Sequence, residues 1–103
     1  MTVIARVWFG RTKAEDYDAY LEYLEESGVA ELEGTPGNQG VMVLRRIDGA
    51  EAEFGVISFW NSLDDVKAFA SEEVDTARYF PNDKRYLLEF RPKLKHYEVA
   101  IEA

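Results

Sequence analysis

Residues 54–70 read FGVISFWNSLDDVKAFA, and this stretch decides how the rest of the chain is interpreted. It reads as a strand that ends in two adjacent large aromatics, Phe59 and Trp60, followed by a short helix over residues 63–70 that Ser62 can cap. Neighbouring side chains of a strand leave opposite faces of its sheet. The two rings must therefore be covered by different layers, and the sequence leaves open which ring faces which layer.

The preceding sequence predicts a hairpin. VMVLRRI at residues 41–47 and EFGVISFW at residues 53–60 are two strand-like runs, and the segment between them contains Asp48-Gly49. Both of these residues tolerate the positive φ angles of tight hairpin turns. The two strands should therefore pair antiparallel.

The N-terminal part predicts a strand followed by a helix. TVIARVWF at residues 2–9 has apolar bulk on both faces, which is typical of a strand buried on two sides. Thr12 and Glu15 form a capping-box pattern, so a helix is expected from Lys13 to about Ser27, ended by Gly28.

The remaining segments complete the order of elements. EGTPGNQG at residues 33–40 lacks the spacing of a phosphate-binding loop and reads as an ordinary connection. Residues 71–92 are broken by Pro81, and either form a flap over a pocket or a surface excursion anchored by their own aromatics. KLKHYEVAI at residues 93–101 alternates and predicts a last strand.

This βαββαβ order within one domain, residues 1–103, predicts an α+β fold: a ferredoxin-like antiparallel sheet with both helices on one face. The helices leave the second face uncovered, although the strands carry apolar side chains there as well. An exposed apolar patch of several hundred Å² is unusual in a monomer. We therefore expect a homodimer in which two sheets pack face to face as a dimeric α+β barrel.

Composition excludes several classes of function. The 20 Asp and Glu residues outnumber the 12 Lys and Arg residues, and the net charge of −8 disfavours nucleic acid and anionic membranes as partners. The absence of cysteine and the single histidine argue against disulfides, thiolate catalysis and a built-in metal centre. Without a signal-peptide pattern or a long apolar run, a cytoplasmic protein is expected.

Two titratable residues on predicted strands are candidates for catalysis. His96 is the only side chain with an ordinary pKa near neutrality and could act as a general base, oriented by Glu98 on the same face. The alternative, which we favour, is a partly exposed histidine at a sheet edge or interface. Arg6 has apolar neighbours, so its charge needs a partner, either a carboxylate such as Glu98 in a structural ion pair, which we expect, or an anionic substrate. Ser58 lacks the spacing of a hydrolase nucleophile.

Four stretches of the chain resemble the antibiotic-biosynthesis-monooxygenase family of dimeric α+β barrels. They are I-A-R-V-W in the first strand, P-G-N-Q-G before the second, F-W-N-S-L-D-D-V-K-A-F-A across the third strand and second helix, and H-Y-E-V near the end. The resemblance implies chemistry on electron-rich aromatic or quinol-type substrates, often without metal or flavin, in which the substrate's own carbanion reacts with oxygen. The resemblance also extends at Trp60 to a haem-degrading branch, which uses an Asn in the first strand and a His in the second helical region. Here Ala5 stands at the candidate first-strand position and residues 62–80 contain no His, so haem degradation is not expected.

We therefore expect a cofactor-independent monooxygenase-like enzyme for a small aromatic substrate, with His96 or Arg6 assisting its ionisation. The alternative is a non-catalytic protein that binds a small hydrophobic ligand or regulates another process. Trp60 either stacks on the ligand or packs in the core, and Trp8 lines either the cavity or, as we favour, the dimer seam. The expected substrate-binding residues are Trp60, Trp8, Ser58, Phe59 and Tyr86.

Overall fold

The computed structural model describes residues 3–103, and its centre is a four-stranded antiparallel sheet in the order β2-β3-β1-β4. The strands are β1 (Ile4–Lys13), β2 (Asn38–Asp48), β3 (Glu51–Trp60) and β4 (Lys95–Glu98). The helices are α1 (Tyr17–Leu24), α2 (Ala30–Gly34), α3 (Leu63–Lys67) and α4 (Asp83–Tyr86). The expected α+β, ferredoxin-like topology is confirmed.

The register of β3 settles the orientation of the two aromatics. Trp60 is fully buried and packs with Leu32 of α2 and Val66 of α3, so it faces the helices. Phe59 is half-buried and pairs with Ala5 on the opposite face of the sheet. The helix-side face of the sheet is the face that carries Ile4, Arg6, Trp8, Gly10 and Thr12 of β1.

The first strand is longer than expected, and the capping box does not form. β1 pairs with β3 as far as Lys13 opposite Glu51, so Thr12 is a strand residue rather than a helix cap. Thr12 is fully buried and donates its hydroxyl hydrogen to the carbonyl of Lys13. The expected hairpin does form, with Gly49 at a φ of +64°. Its second strand, β3, begins at Glu51, and this residue pairs with Lys13 at the end of β1.

Gly28 does not end the first helix, contrary to the sequence-based expectation. A short 3-10 turn at Ala14–Asp16 leads into α1, and a π-helical turn at Glu25–Val29 joins α1 to α2. Leu32 of α2 is buried against Trp60, and this tertiary contact keeps the chain helical beyond the glycine. The helix stops at Gly34, just before Pro36.

The C-terminal half follows the expected order with shorter elements. Ser62 caps α3 by accepting the backbone hydrogen of Asp65 at 3.3 Å, as expected, but the helix ends at Lys67. β4 is limited to Lys95–Glu98 because Lys93 pairs with Thr76 and the amide of Leu94 donates to Asp75. Lys93 and Leu94, which the sequence predicts as part of the last strand, therefore bind residues 75–76 of the irregular segment instead.

Two apolar clusters fill the space between the sheet and the helices. The first contains Tyr20, Leu24, Ala52, Phe54 and Leu87, and the second contains Leu32, Trp60, Val66 and Phe69. Within residues 3–103, no helix is long and apolar enough to span a membrane.

The loop before β2 provides a test of the backbone geometry. Gly37 has a φ of +92°, and a Cβ placed on it would lie 2.5 Å from Cγ of Asp65. We predict that Gly37→Ala lowers the free energy of unfolding by about 1–3 kcal/mol, because a side chain is strained at this φ and also displaces Asp65. Gly34→Ala is the control, since a Cβ there meets nothing within 4 Å. Urea denaturation should show little change or a small gain for the control, and equal effects of the two substitutions would contradict the prediction.

Candidate functional site

A cleft lies between the helix-side face of the sheet and the helical layer. It encloses about 540 Å³, including its open mouth. The sheet forms its floor, the π-helical turn one wall, and residues 78–83 another. The lining residues are Arg6, Trp8, Tyr20, Leu24, Ser27, Gly28, Val29, Leu32, Val56, Ser58, Phe69, Arg78, Tyr79, Phe80, Asp83 and Leu94.

Arg6 is the most deeply buried cation of this cleft, with 4% of its surface exposed. Its Nη1 donates to the carbonyl of Val74 at 2.6 Å, and its Nη2 donates to the carbonyl of Thr76 at 3.1 Å. Burial lowers the pKa of Arg6 to about 10, an effect that Asp75 partly opposes. Within residues 3–103 no carboxylate lies within 4 Å of the guanidinium, so the expected ion pair with Glu98 does not form.

His96 connects Arg6 to the carboxylate of Asp75. Its Nδ1 lies 2.8 Å from Oδ1 of Asp75, and its Nε2 lies 3.1 Å from Nη1 of Arg6. Because a carboxylate accepts and a guanidinium donates, Nδ1 carries the hydrogen and Nε2 accepts. Burial, and then the charge of Arg6, lowers the pKa of His96, whereas the hydrogen bond to Asp75 raises it.

This geometry changes the role expected for the histidine. Asp75 orients the imidazole, and Glu98, which pairs with Ile4, is exposed. The Nε2 lone pair that a general base would use is already occupied by Arg6. His96 is not part of the cleft lining, so it contacts the cleft only through Arg6.

Asp83 is a second buried charged group that the sequence analysis missed. It is 5% exposed, its Oδ2 accepts the backbone hydrogen of Phe80 at 2.6 Å, and its Oδ1 accepts the hydroxyl hydrogen of Tyr20 at 3.0 Å. Burial raises the pKa of Asp83, and the same burial together with the nearby carboxylate raises the pKa of Tyr20. The only local signal was an acidic residue within an aromatic segment, because its partner on α1 is 63 positions away.

Trp8 and Ser58 lie where a ligand in the cleft would meet them. Trp8 is on the helix-side face opposite Val56, and its Nε1 donates to the hydroxyl of Tyr79 at 3.3 Å. Of the two positions considered for Trp8, its place in the structure matches the cavity rather than the dimer seam. Ser58 is directly opposite Arg6, and its Oγ accepts the indole hydrogen of Trp60 at 2.9 Å.

Three other expected substrate-binding residues do not line the cleft. Trp60 is fully buried in the second cluster, and its indole hydrogen is donated to Ser58 on the same strand. Phe59 is on the opposite face of the sheet. Tyr86 packs against the rings of Tyr20 and Tyr23. Of the two readings of Trp60, the position in the structure matches core packing.

Aromatic and guanidinium groups form the outer wall. Arg78 lies 4.8 Å from the ring centroid of Phe69 and 4.9 Å from that of Phe80, and Arg6 lies 5.6 Å from the ring of Phe69. Arg78 also pairs with Glu31 at 3.3 Å near the surface. In the part of the chain that the structure describes, no cluster of three or more His, Asp or Glu residues could hold a metal ion.

Comparisons with known proteins place this geometry on a known fold. No family model matches the chain, and no curated protein matches it significantly. Among solved structures, a candidate antibiotic biosynthesis monooxygenase from Bacillus cereus is similar over 99% of this chain and 96% of its own, with a TM-score of 0.65 and 16% identity. A second candidate antibiotic biosynthesis monooxygenase, from Nitrosomonas europaea, is similar over 95% of this chain and 86% of its own, with a TM-score of 0.54 and 15% identity.

A haem-degrading protein from Mycobacterium tuberculosis, solved with two haems in its active site, shares the same fold. It is similar over 97% of this chain and 98% of its own, with a TM-score of 0.59 and 20% identity. At these identities the comparisons establish the architecture and leave the reaction open. The chain has the fold of the antibiotic biosynthesis monooxygenases.

The lowered pKa of His96 predicts a specific loss of stability in acid. The folded protein favours the neutral imidazole, so the stability present above the unfolded pKa of about 6.5 is lost as the pH falls towards the lower folded pKa. His96→Gln should remove this component and flatten the profile of unfolding free energy below about pH 6.5.

Urea denaturation across this pH range measures the effect, and Glu98→Gln on the same strand is the control that should keep the wild-type slope. The raised pKa of Asp83 contributes a slope of opposite sign to the profile of unfolding free energy against pH. Because Asp83 is present in all three proteins, this contribution is common to them and does not affect the comparison. Parallel profiles for wild type and His96→Gln would contradict the proposed arrangement.

Proposed function

We propose that this chain is a cofactor-independent, monooxygenase-like enzyme whose cleft holds a small aromatic or quinol-type substrate. The observation that carries the proposal is a buried guanidinium, Arg6, in a cleft otherwise lined mostly by apolar and aromatic side chains. Such a combination favours a flat apolar ligand that carries or develops one negative charge. The shared fold with two candidate antibiotic biosynthesis monooxygenases supports this reading.

Arg6 has donors left for a ligand. A guanidinium has five N–H groups, and three are used by Val74, Thr76 and His96. The charge is thus held in place by fixed partners while two hydrogens stay available. A substrate oxygen that becomes negative on ionisation would be stabilised there by a guanidinium that is itself buried.

Ser58 extends this donor group. It is 1% exposed and is the direct cross-strand neighbour of Arg6. Because its Oγ already accepts the indole hydrogen of Trp60, its own hydroxyl hydrogen can be donated towards the cleft. In the proposed reaction the ionised, electron-rich substrate then reacts with dioxygen, and the protein contributes orientation, exclusion of water and stabilisation of charge.

The alternative is a binding or regulatory protein that holds the same class of ligand without turnover. The occupied Nε2 of His96 favours this alternative, because it removes the one general base expected from the sequence. The two functions need the same cleft and differ in whether oxygen is consumed.

Haem degradation has less support than either function. His96 is committed to Arg6 and Asp75 and does not line the cleft. Ala5, at the position compared with the Asn of that branch, faces away from the cleft. The cleft-side positions next to it hold Ile4 and Arg6, neither of which is an Asn.

We also propose that a second copy of the chain covers the free face of the sheet. The side chains exposed there include Phe9 at 37%, Met42 at 52%, Leu44 at 44% and Tyr97 at 51%. The ring of Phe9 lies over Gly55, where a Cβ would be 2.6 Å from it, so an aromatic side chain covers the centre of this face. An exposed apolar face of this kind is suited to packing on its own copy about a two-fold axis.

Turnover and its dependence on the cleft can be tested together. We predict oxygen-dependent consumption of at least one member of a panel of quinol-type substrates, absent under nitrogen. Gly28→Leu should abolish it, because the added side chain projects from the π-helical turn into the cleft towards Phe80. Gly34→Leu is the matched control, since that glycine is exposed and lies outside the lining. Binding without consumption by wild type would favour the non-catalytic alternative, and equal activity in both variants would exclude this cleft.

The oligomeric state tests the second proposal. We predict a dimer by analytical ultracentrifugation and a monomer for the double variant Met42→Glu, Leu44→Glu, because four added carboxylates would meet at the interface. The control is Ile47→Glu, Leu63→Glu, which places the same charges on side chains of similar exposure, 49% and 44%, on the helix side of the molecule. A monomeric wild type at high concentration, or equal behaviour of the two variants, would contradict the proposal.

A further inference from the structure

The carboxylate of Asp83 carries a charge that its structural contacts do not require. It accepts one hydrogen bond from the backbone of Phe80 and one from the hydroxyl of Tyr20. An asparagine in the same position could accept the first through its oxygen and donate to the tyrosine oxygen through its nitrogen. A neutral residue would thus satisfy both partners at a lower desolvation cost.

The same carboxylate is placed to contact a ligand. Asp83 lines the cleft and is 5% exposed, and no cation lies within 4 Å of it in the part of the chain described. Each carboxylate oxygen can accept two hydrogen bonds, and each accepts one here. Two acceptor positions therefore stay free in a group held on the cleft wall.

We propose that Asp83 is the proton acceptor of the cleft and that it selects ligands bearing an aromatic hydroxyl group. A cationic ligand would also satisfy a buried carboxylate, but Arg6 and Arg78 line the same cleft and disfavour a second positive charge. A neutral hydroxyl donates to the carboxylate without that repulsion. The ligand class that fits both charged groups is a phenol or quinol.

The proton transfer is simple and needs no further reactant. The hydroxyl O–H bond of the ligand breaks, the proton forms a bond to a carboxylate oxygen of Asp83, and the electron pair stays on the ligand as an aryloxide. Burial raises the pKa of Asp83, which brings it closer to that of a phenol and makes the transfer less unfavourable. As a catalytic step this inference rests on the proposed function, whereas hydroxyl selection can be measured without turnover.

Calorimetric binding of 2-naphthol and 2-methoxynaphthalene tests the selection, because the two probes differ in the hydroxyl hydrogen. Wild type should bind 2-naphthol at least about tenfold more tightly, as expected for a hydrogen bond to a charged group. In Asp83→Asn the preference should fall to threefold or less. Glu33→Gln removes one negative charge from an exposed side chain of α2 outside the cleft lining, so this control should retain the preference.

Each outcome decides the inference. Circular dichroism checks that the variants are folded. The ratio of the wild-type affinities for 2-naphthol and 2-methoxynaphthalene still tests the proposal if a variant fails to fold. A wild type without preference, a wild type that binds neither probe, or an unchanged preference in Asp83→Asn would each overturn the proposal. A preference that depends on Asp83 in a protein that consumes no oxygen would uphold it while contradicting the enzymatic reading.

Discussion

The alternation of side chains along β3 is the constraint on which the rest of the structure depends. Val56, Ser58 and Trp60 point towards the helices, whereas Ile57 and Phe59 point away. Both sets are largely apolar, so the strand must be covered on two sides. The helical side is closed by the chain itself, and the polar exception on that side, Ser58 opposite Arg6, marks the floor of the cleft.

Arg6 attaches to the sheet a part of the chain that has little regular structure. Its guanidinium binds the carbonyls of Val74 and Thr76, and its partner His96 binds Asp75. Three consecutive residues of an irregular segment are thereby fixed to the sheet, and the wall formed by residues 78–83 follows directly. The buried charge is thus a structural attachment for the wall and, in the proposed function, the group that stabilises negative charge in the cleft.

The sequence predicted what depends on local pattern and missed what depends on distant partners. The order of elements along the chain, the hairpin turn at Gly49 and the cap at Ser62 follow from residues close together in the chain, and they were predicted correctly. The continuation of the helix past Gly28 depends on packing of Leu32 against Trp60. The site depends on contacts even further apart, since Arg6 and Val74 are separated by 68 positions. No periodicity contains information about such pairs.

The lack of a direct pair between Arg6 and Asp83 supports the proposal that the cleft binds a ligand. Opposite charges buried in one small protein are stabilised most when they pair directly, yet each of these is held by neutral groups or by histidine. Folding alone would favour a direct pair or apolar replacements of similar volume. Keeping a buried donor and a buried acceptor unpaired in one cleft costs stability, and in the proposed function that cost is offset by a ligand that has a hydroxyl group and a developing negative charge.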